Sequence, residues 1–508
     1  MTSIDDIATN LQIFYQKILD IFQSESSPID KWKSIAFYIH ENNDIVTKSY
    51  KKIKKEVENL DINLDYNIDF NQINKQITKE SNSVVKCSSI ILGLHIILYD
   101  LMSQEGNYSF VFDGKKEMAI LKKDIMYYVS ISSKNEQNIF FHAFLLVFAL
   151  ESLFNKYLYV GIDFEYTNRK IQLAQLNFEH NHTDKSMILI VSPNELEPIM
   201  TDNFIDFIIC NKNIKKILHG SDSLDIPYMY NHLLQDDPAK IIKFTRSLID
   251  TRFLCEYYKL TRSEPSDNKC SIYDEDSTRS AIYYFKVVSD DQQRRLAELL
   301  ESMPSPHDRD WYIHKMPVSQ VQYAALDVLY LKVFYYRMIY VATEDESTDL
   351  GKKNIMDLYK NVLNEITRFV YLERNNVTYL MATCKKDVDI VNNYFIRTTN
   401  GILKMIDIFN QVSLNLETAS PKINIDNFLK INHFKTPVVT IIKRLVYGFI
   451  SQKCRVYKDK STLWTDKLEN NFIFDFMEEM KFNYLLKMYQ DLAITLQTRV
   501  NSICSQNK

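Results

Sequence analysis

Three stretches of the chain place carboxylates where they could hold a cation. In Gly161-Ile162-Asp163-Phe164-Glu165 the acids stand two apart. On a strand such residues project to one face while Phe164 turns into the opposite layer. Two carboxylates side by side repel unless a cation lies between them, which makes a divalent metal their natural occupant, although the pair alone would equally suit a solvated strand edge. In Ile217-Leu218-His219-Gly220-Ser221-Asp222-Ser223-Leu224-Asp225-Ile226 a short strand gives way to a helix, the place where open α/β sheets carry their sites. Asp222 there suits a helix cap, and Asp225, one turn further in, is left to face a pocket. In the stretch Pro317 to Asp327, Ser319 and Gln322 fit a capping box, so a helix is expected to start at Ser319. Tyr323 and Asp327 then share one helical face, and the small pair Ala324 and Ala325 lets the helix approach a sheet.

A sheet has to carry the first pair. From Tyr157 the segments YLYVGIDFEY, IQLAQLNFEH and MILIVSP are short, β-rich and divided by turn-like residues, which predicts a three-stranded meander. A helix over 194–209, a strand in KKILHG, a helix from Pro227 to Leu234, a short strand ending in Leu248-Ile249-Asp250-Thr251 and further helices follow. Later strands therefore alternate with helices as a parallel arrangement requires, and the sheet is expected to be mixed. Residues 261–280 read as a surface loop and 343–354 as a domain boundary, with helical character again beyond 355.

Upstream, Ile7, Leu11, Phe14, Ile18 and Phe22 recur at helical spacing, and Ile90–Leu98 is a second apolar segment. Tyr108–Phe112 followed by Asp113-Gly114 suits a hairpin. The apolar run Ile139–Leu150 contains His142 and stops at Glu151. It is shorter than the roughly 20 residues of a membrane span, so a buried helix is expected. The division this gives is 1–150, mainly helical; 151–342, α/β; and 343–508, helical.

With 508 residues the chain exceeds one ordinary hydrophobic core. Its 61 Lys and Arg against 65 Asp and Glu advertise no nucleic-acid partner, so any basic surface must be local. Two clusters qualify. One holds Lys48, Lys51, Lys52, Lys54 and Lys55; the other, between 435 and 460, includes Lys443, Arg444, Lys453 and Arg455 with Tyr447, Phe449 and Tyr457 interleaved. Such clusters are commonly solvated helix faces, but the second also suits a nucleic-acid path. The seven cysteines form no CxxC pair, which argues against a zinc site and a disulfide framework and for a reducing compartment. The opening MTSIDDIATNLQ lacks a basic-then-apolar pattern, so an intracellular location, cytoplasmic or nuclear, is expected, without a membrane partner.

The ordered set of Asp163 and Glu165 on a first strand, HGSDSLD, Asp250-Thr251, Asp310-Trp311 and YAALD closely resembles the ribonuclease D branch of the DEDD 3′→5′ exonucleases, which includes the 3′ exonuclease of the nuclear exosome. The resemblance covers roughly 157–337, and Tyr323 marks the tyrosine subclass. It implies a ribonuclease H-like mixed β-sheet exonuclease domain flanked by mainly α-helical N- and C-terminal domains. It further implies two divalent ions, Mg²⁺ or Mn²⁺, about 3.5 to 4 Å apart. Asp163 would bridge them, Glu165 and Asp327 would complete the site of the ion that activates water, and Asp225 would serve the second. One departure touches that last assignment, since Asp225 stands six residues after His219, and Asp222 three, where five is usual.

Tyr323, as a phenol, would orient the attacking water rather than act as its base. Tyr166 and His219 flank the acids as candidate substrate contacts, Tyr166 by stacking on the last base or else as a core residue. The partner implied is nucleic acid with a free 3′ end, RNA before DNA, with protein partners possible through the helical domains. Rival readings are a binding protein that kept the fold without the catalysis, and a DNA-directed exonuclease.

Overall fold

The computed structural model describes residues 3–364 apart from 58–63, 65, 67, 105–124, 130–133, 156–157, 168–169, 181–184, 222–224, 236, 263–269, 273–279, 305–308, 313–315, 345, 358 and 361–363. The hairpin expected at Tyr108–Phe112 and the basic residues Lys443, Arg444, Lys453 and Arg455 lie outside the described residues, as does Asp222. By its contacts the chain divides into two compact units, one of residues 1–221 with 271–336, the other of 222–270 with the chain from 337 onward.

In the first unit the N-terminal pattern folds as an amphipathic bundle. Helix α1 (Ile4–Phe22) is opened by Ser3 and Asp6 in a reciprocal capping box, and Ile7, Leu11, Phe14 and Ile18 form its buried stripe. Helices α2 (Pro28–Glu41), α3 (Asn43–Val57), α4 (Phe70–Lys79) and α5 (Ser83–Gln104) follow. Gly93 lets α5 lie against α1, because a Cβ there would stand 2.7 Å from the Tyr15 ring, whose hydroxyl donates to Asn74 at 2.6 Å. In α5 the stretch Ser83–Leu101 is long and apolar enough to cross a bilayer, a longer run than Ile139–Leu150, yet most of it is buried within the fold.

A strand, β1 (Ile125–Val129), precedes α6 (Lys134–Glu151). Ile139–Leu150 is buried, as its composition predicts, and His142 finds partners there. Its Nδ1 lies 2.8 Å from His40 Nδ1, and its Nε2 accepts from the Asn203 amide at 2.8 Å. Burial, reinforced by His40, pulls the His142 imidazole down to about 4, so it is neutral.

The meander forms as expected from β2 (Leu158–Thr167), β3 (Lys170–His180) and β4 (Lys185–Val191), each antiparallel to the next. After Pro193–Glu195, a short 3-10 turn, α7 (Pro198–Phe204) continues as a π-helix through Ile205–Ile209 into β5 (Ile214–Leu218). Strand β5 lies parallel to β2, and β1 parallel to β4, giving the order β1-β4-β3-β2-β5. The sheet is mixed, within a mixed α/β unit.

The second unit takes α8 (Asp225–Tyr228), which continues as a π-helix over Met229–Leu233, then α9 (Pro238–Thr245), β6 (Leu248–Asp250) and α10 (Thr251–Arg262). Tyr230 and Phe244 meet edge-on in its core, ring centroids 6.4 Å apart. Here the cysteine expectation is corrected: Cys255 on α10 and Cys270 are disulfide-bonded, with Cα atoms 5.8 Å apart. A spacing of 15 residues carries no motif from which the pairing could be read.

Back in the first unit come α11 (Ala281–Tyr284), α12 (Asp290–Ser302) and α13 (Val318–Leu329). Helix α14 (Leu331–Glu344) leads out of it, and α15 (Asp349–Asp357) belongs to the second unit. The capping box expected at Ser319 is not what starts α13. Pro317 occupies the cap with extended backbone and no side-chain cap bond, which puts Ser319 inside the first turn. Gln320 instead donates from Nε2 to the Asp310 carbonyl at 3.0 Å, tying the helix start to the loop before it.

Candidate active site

The two faces of β2 separate structure from chemistry. Val160, Ile162 and Phe164 are buried on one side, while Asp163 and Glu165 are half-buried on the other, beneath α13. Helix α13 can lie close because Ala324 and Ala325 are small and Gly161 has no side chain. A Cβ on Gly161 would stand 3.1 Å from the Val328 carbonyl and 3.3 Å from Leu331 Cδ1. Asn177, opposite Gly161 on β3, donates from Nδ2 to that same Val328 carbonyl at 3.1 Å, fixing the end of α13 to the sheet.

This packing brings Asp163, Glu165 and Asp327 together, so that each can offer a carboxylate oxygen within 4.8 Å of the others. Tyr323 hydrogen-bonds Asp327 one helical turn along. Burial pushes the Asp163 carboxyl up to about 7, against a bond from the Phe164 amide that favours its charged form. Asp327 is held well above the ordinary carboxylate range by burial and then by the charges of Asp163 and Glu165, with Arg309 opposing. The Tyr323 phenol is raised well above its usual value, first by the Asp327 charge, then by burial and by Glu165 and Asp163. Three carboxylates this close together, two of which resist ionising, are a donor set that a hard divalent cation relieves, and carboxylate oxygens suit Mg²⁺ or Mn²⁺.

Three neighbours escaped the sequence. Arg309 lies with its guanidinium 5.3 Å from the centre of the Tyr323 ring, on the other side of the balance from the acids. Its only sequence signal is adjacency to Asp310-Trp311, and Trp311 itself is buried, 6.3 Å from Tyr323 ring to ring, with its amide on Thr167 Oγ1 at 3.4 Å. Gln175 is opposite Asp163 on β3 and fully buried, and neither end of its amide has a hydrogen-bond partner among the described residues. Asn177 is the third, and the register between β2 and β3, which no local spacing encodes, would have been needed to find either amide.

Tyr166 follows the register shift at Glu165/Tyr166 and is half-buried. His219 stands just beyond β5, with its ring 5.9 Å from Phe334. Asp225 opens α8 in the second unit.

Over 506 residues, 99% of this chain and 100% of the other, the sequence is 64% identical to "Uncharacterized protein L533" of Acanthamoeba polyphaga mimivirus, and the chain belongs to the same family as that protein. No protein-family model matches the chain. No solved structure matches it either.

Proposed function

We propose that this protein is a 3′→5′ exonuclease that hydrolyses single-stranded nucleic acid, RNA before DNA, to nucleoside monophosphates, using two Mg²⁺ or Mn²⁺ ions. One observation carries the reading: Asp163, Glu165 and Asp327, from a strand and a helix about 160 residues apart in sequence, converge within 4.8 Å with Tyr323 bonded to the last of them. The run β4-β3-β2-β5, with β5 parallel to β2, supports the ribonuclease H-like assignment made from the motifs.

When bound, the ions supply positive charge to the scissile phosphodiester and acidify coordinated water. Asp163, Glu165 and Asp327 are the residues that would hold them, and Asp225 is assigned as fourth acid on its motif alone. Tyr323 stays a phenol at neutral pH, so it does not serve as a base. Its hydroxyl donates to Asp327 and leaves a lone pair to accept from the attacking water, which it aims at the phosphorus. The bond from phosphorus to the 3′-oxygen breaks opposite that water. The water's proton passes to solvent, and the leaving oxygen gains one from solvent. Arg309, beside the phenol, limits the build-up of negative charge around it.

The test is incubation of 5′-labelled single-stranded RNA and DNA of equal sequence with Mg²⁺, Mn²⁺ or EDTA, for wild type and Asp163→Asn. A ladder of single-nucleotide steps is expected with metal and not with EDTA. Asp163→Asn is expected to slow it at least about a thousandfold, roughly 4 kcal/mol of barrier. Equal ladders from wild type and variant, or no degradation of either strand, would overturn the reading.

A further inference from the structure

On α3, Lys48, Lys51, Lys52 and Lys55 recur at i, i+3, i+4 and i+7, so they form one stripe about 10 Å long. All four line an open groove between α3 and α1 with a volume of about 540 Å³, and Asn10 of α1 lines it too. Only Lys55 of this stripe gains from standing in the last turn of the helix, where cations offset the macrodipole. The stripe is otherwise four like charges at neighbouring positions. Asp44 relieves Lys48 at 2.8 Å and Glu56 relieves Lys52 at 3.0 Å, whereas Lys51 and Lys55 have no acidic partner among the described residues. A second observation points the same way: Ser49 lines the groove fully buried, and its Oγ has no hydrogen-bond partner among the described residues. A buried hydroxyl left unmatched disfavours the empty state and favours a ligand that brings a polar atom.

We infer that this groove binds the phosphodiester backbone of a single nucleic-acid strand, with the lysine ammonium groups on its phosphates and Ser49 and Asn10 as hydrogen-bonding groups. That the polyanion is nucleic acid rests on the nuclease reading above. A concave channel edged by four lysines fits a narrow strand better than a flat anionic membrane. The groove gives the balanced overall charge of the chain a local basic track of the kind nucleic-acid affinity requires.

The experiment measures fluorescence anisotropy of a labelled single-stranded oligoribonucleotide against the full-length protein in EDTA across a salt series. Wild type is compared with Lys51→Gln/Lys55→Gln and with Ser49→Ala. Removing two phosphate contacts is expected to weaken binding at low salt about tenfold or more and to flatten the plot of log affinity against log salt by about 1.4. Ser49→Ala is expected to weaken it about threefold while leaving the melting temperature unchanged or raised.

Equal salt slopes for wild type and the double variant overturn the groove, as does absence of wild-type binding. Lysine-dependent capture of anionic phosphatidylserine vesicles without oligonucleotide binding overturns it as well. The two readings fail separately. Lysine-dependent binding without any degradation in Mg²⁺ keeps the groove and removes the nuclease, and degradation with equal slopes does the reverse.

Discussion

Strand β2 serves two sides of one sheet that are built by opposite rules. Toward α6, Val160, Ile162 and Phe164 join Phe178, whose ring lies 5.1 Å from Phe144 and 4.9 Å from Phe148, in an apolar layer. Toward α13, Asp163 and Glu165 join Gln175, Asn177 and Glu179 of β3, all three buried, in a layer where apolar residues would pack better. The first side gains stability from every buried methylene. The second holds carboxylates that disfavour one another's charge, a cost that a bound cation would relieve. A sheet that alternates its side chains lets a stable face carry a costly one on the same backbone.

The largest expected effect on this contrast comes from the apolar side. Phe178→Ala should cost about 3–5 kcal/mol of unfolding free energy, measured by chemical denaturation. A cost under about 1 kcal/mol would mean that the apolar side is not where the stability lies. On the chemical side Tyr323→Phe removes one hydroxyl and leaves the ring on Arg309. It should slow turnover about a hundredfold, ~2.7 kcal/mol, with KM and unfolding midpoint little changed. A fall in stability matching the loss in rate would make Tyr323 a packing residue and erase the contrast.

Proton linkage separates the faces next. Asp163 and Asp327 bind protons more tightly folded than unfolded, so their contribution is full below the usual carboxylate pKa and is lost as pH rises, through about 7 for Asp163. The metal-free protein should therefore melt lower at pH 8 than at pH 5.5 by several degrees, at roughly 2–4 °C per kcal/mol, and Mn²⁺ should restore most of the difference at pH 8. His142 acts in the opposite sense, since its stabilising neutrality is present above the usual imidazole pKa and lost as pH falls toward about 4. In Asp163→Asn the alkaline loss should shrink while the acid limb stays, and an unchanged alkaline limb would show that the acids are not its source. The smallest expected change is Gln175→Leu, which removes an unmatched amide and should leave stability equal or raise it by about 1 kcal/mol by calorimetry. A loss of several kcal/mol would mean that the amide has a firm partner.

Where local spacing decides geometry, the sequence was readable. The two-residue step from Asp163 to Glu165 placed both on one face, and the four-residue step from Tyr323 to Asp327 placed both on one side of a helix. The meander was equally legible from its β-rich segments. What spacing cannot carry is which residue of a neighbouring strand lies opposite, so Gln175 and Asn177 were invisible until β3 was in register. Arg309 reaches Tyr323 from a loop, whose path has no period to read. Cys255 and Cys270 pair across 15 residues of sequence whose spacing matches no motif. Ser319 misled because serine suits a cap, but Pro317, which fixes its own φ, took that place first.

Gly161 sets a thickness. With only a hydrogen where other residues carry a carbon, it fixes how far the last turn of α13 stands from β2, and the separation of Asp327 from Asp163 follows from that gap. The spacing of the acids is therefore gauged by a residue that offers the cluster no ligand atom, and an alanine there would act as a shim, widening the acid cluster by a few tenths of an ångström without touching any of its members.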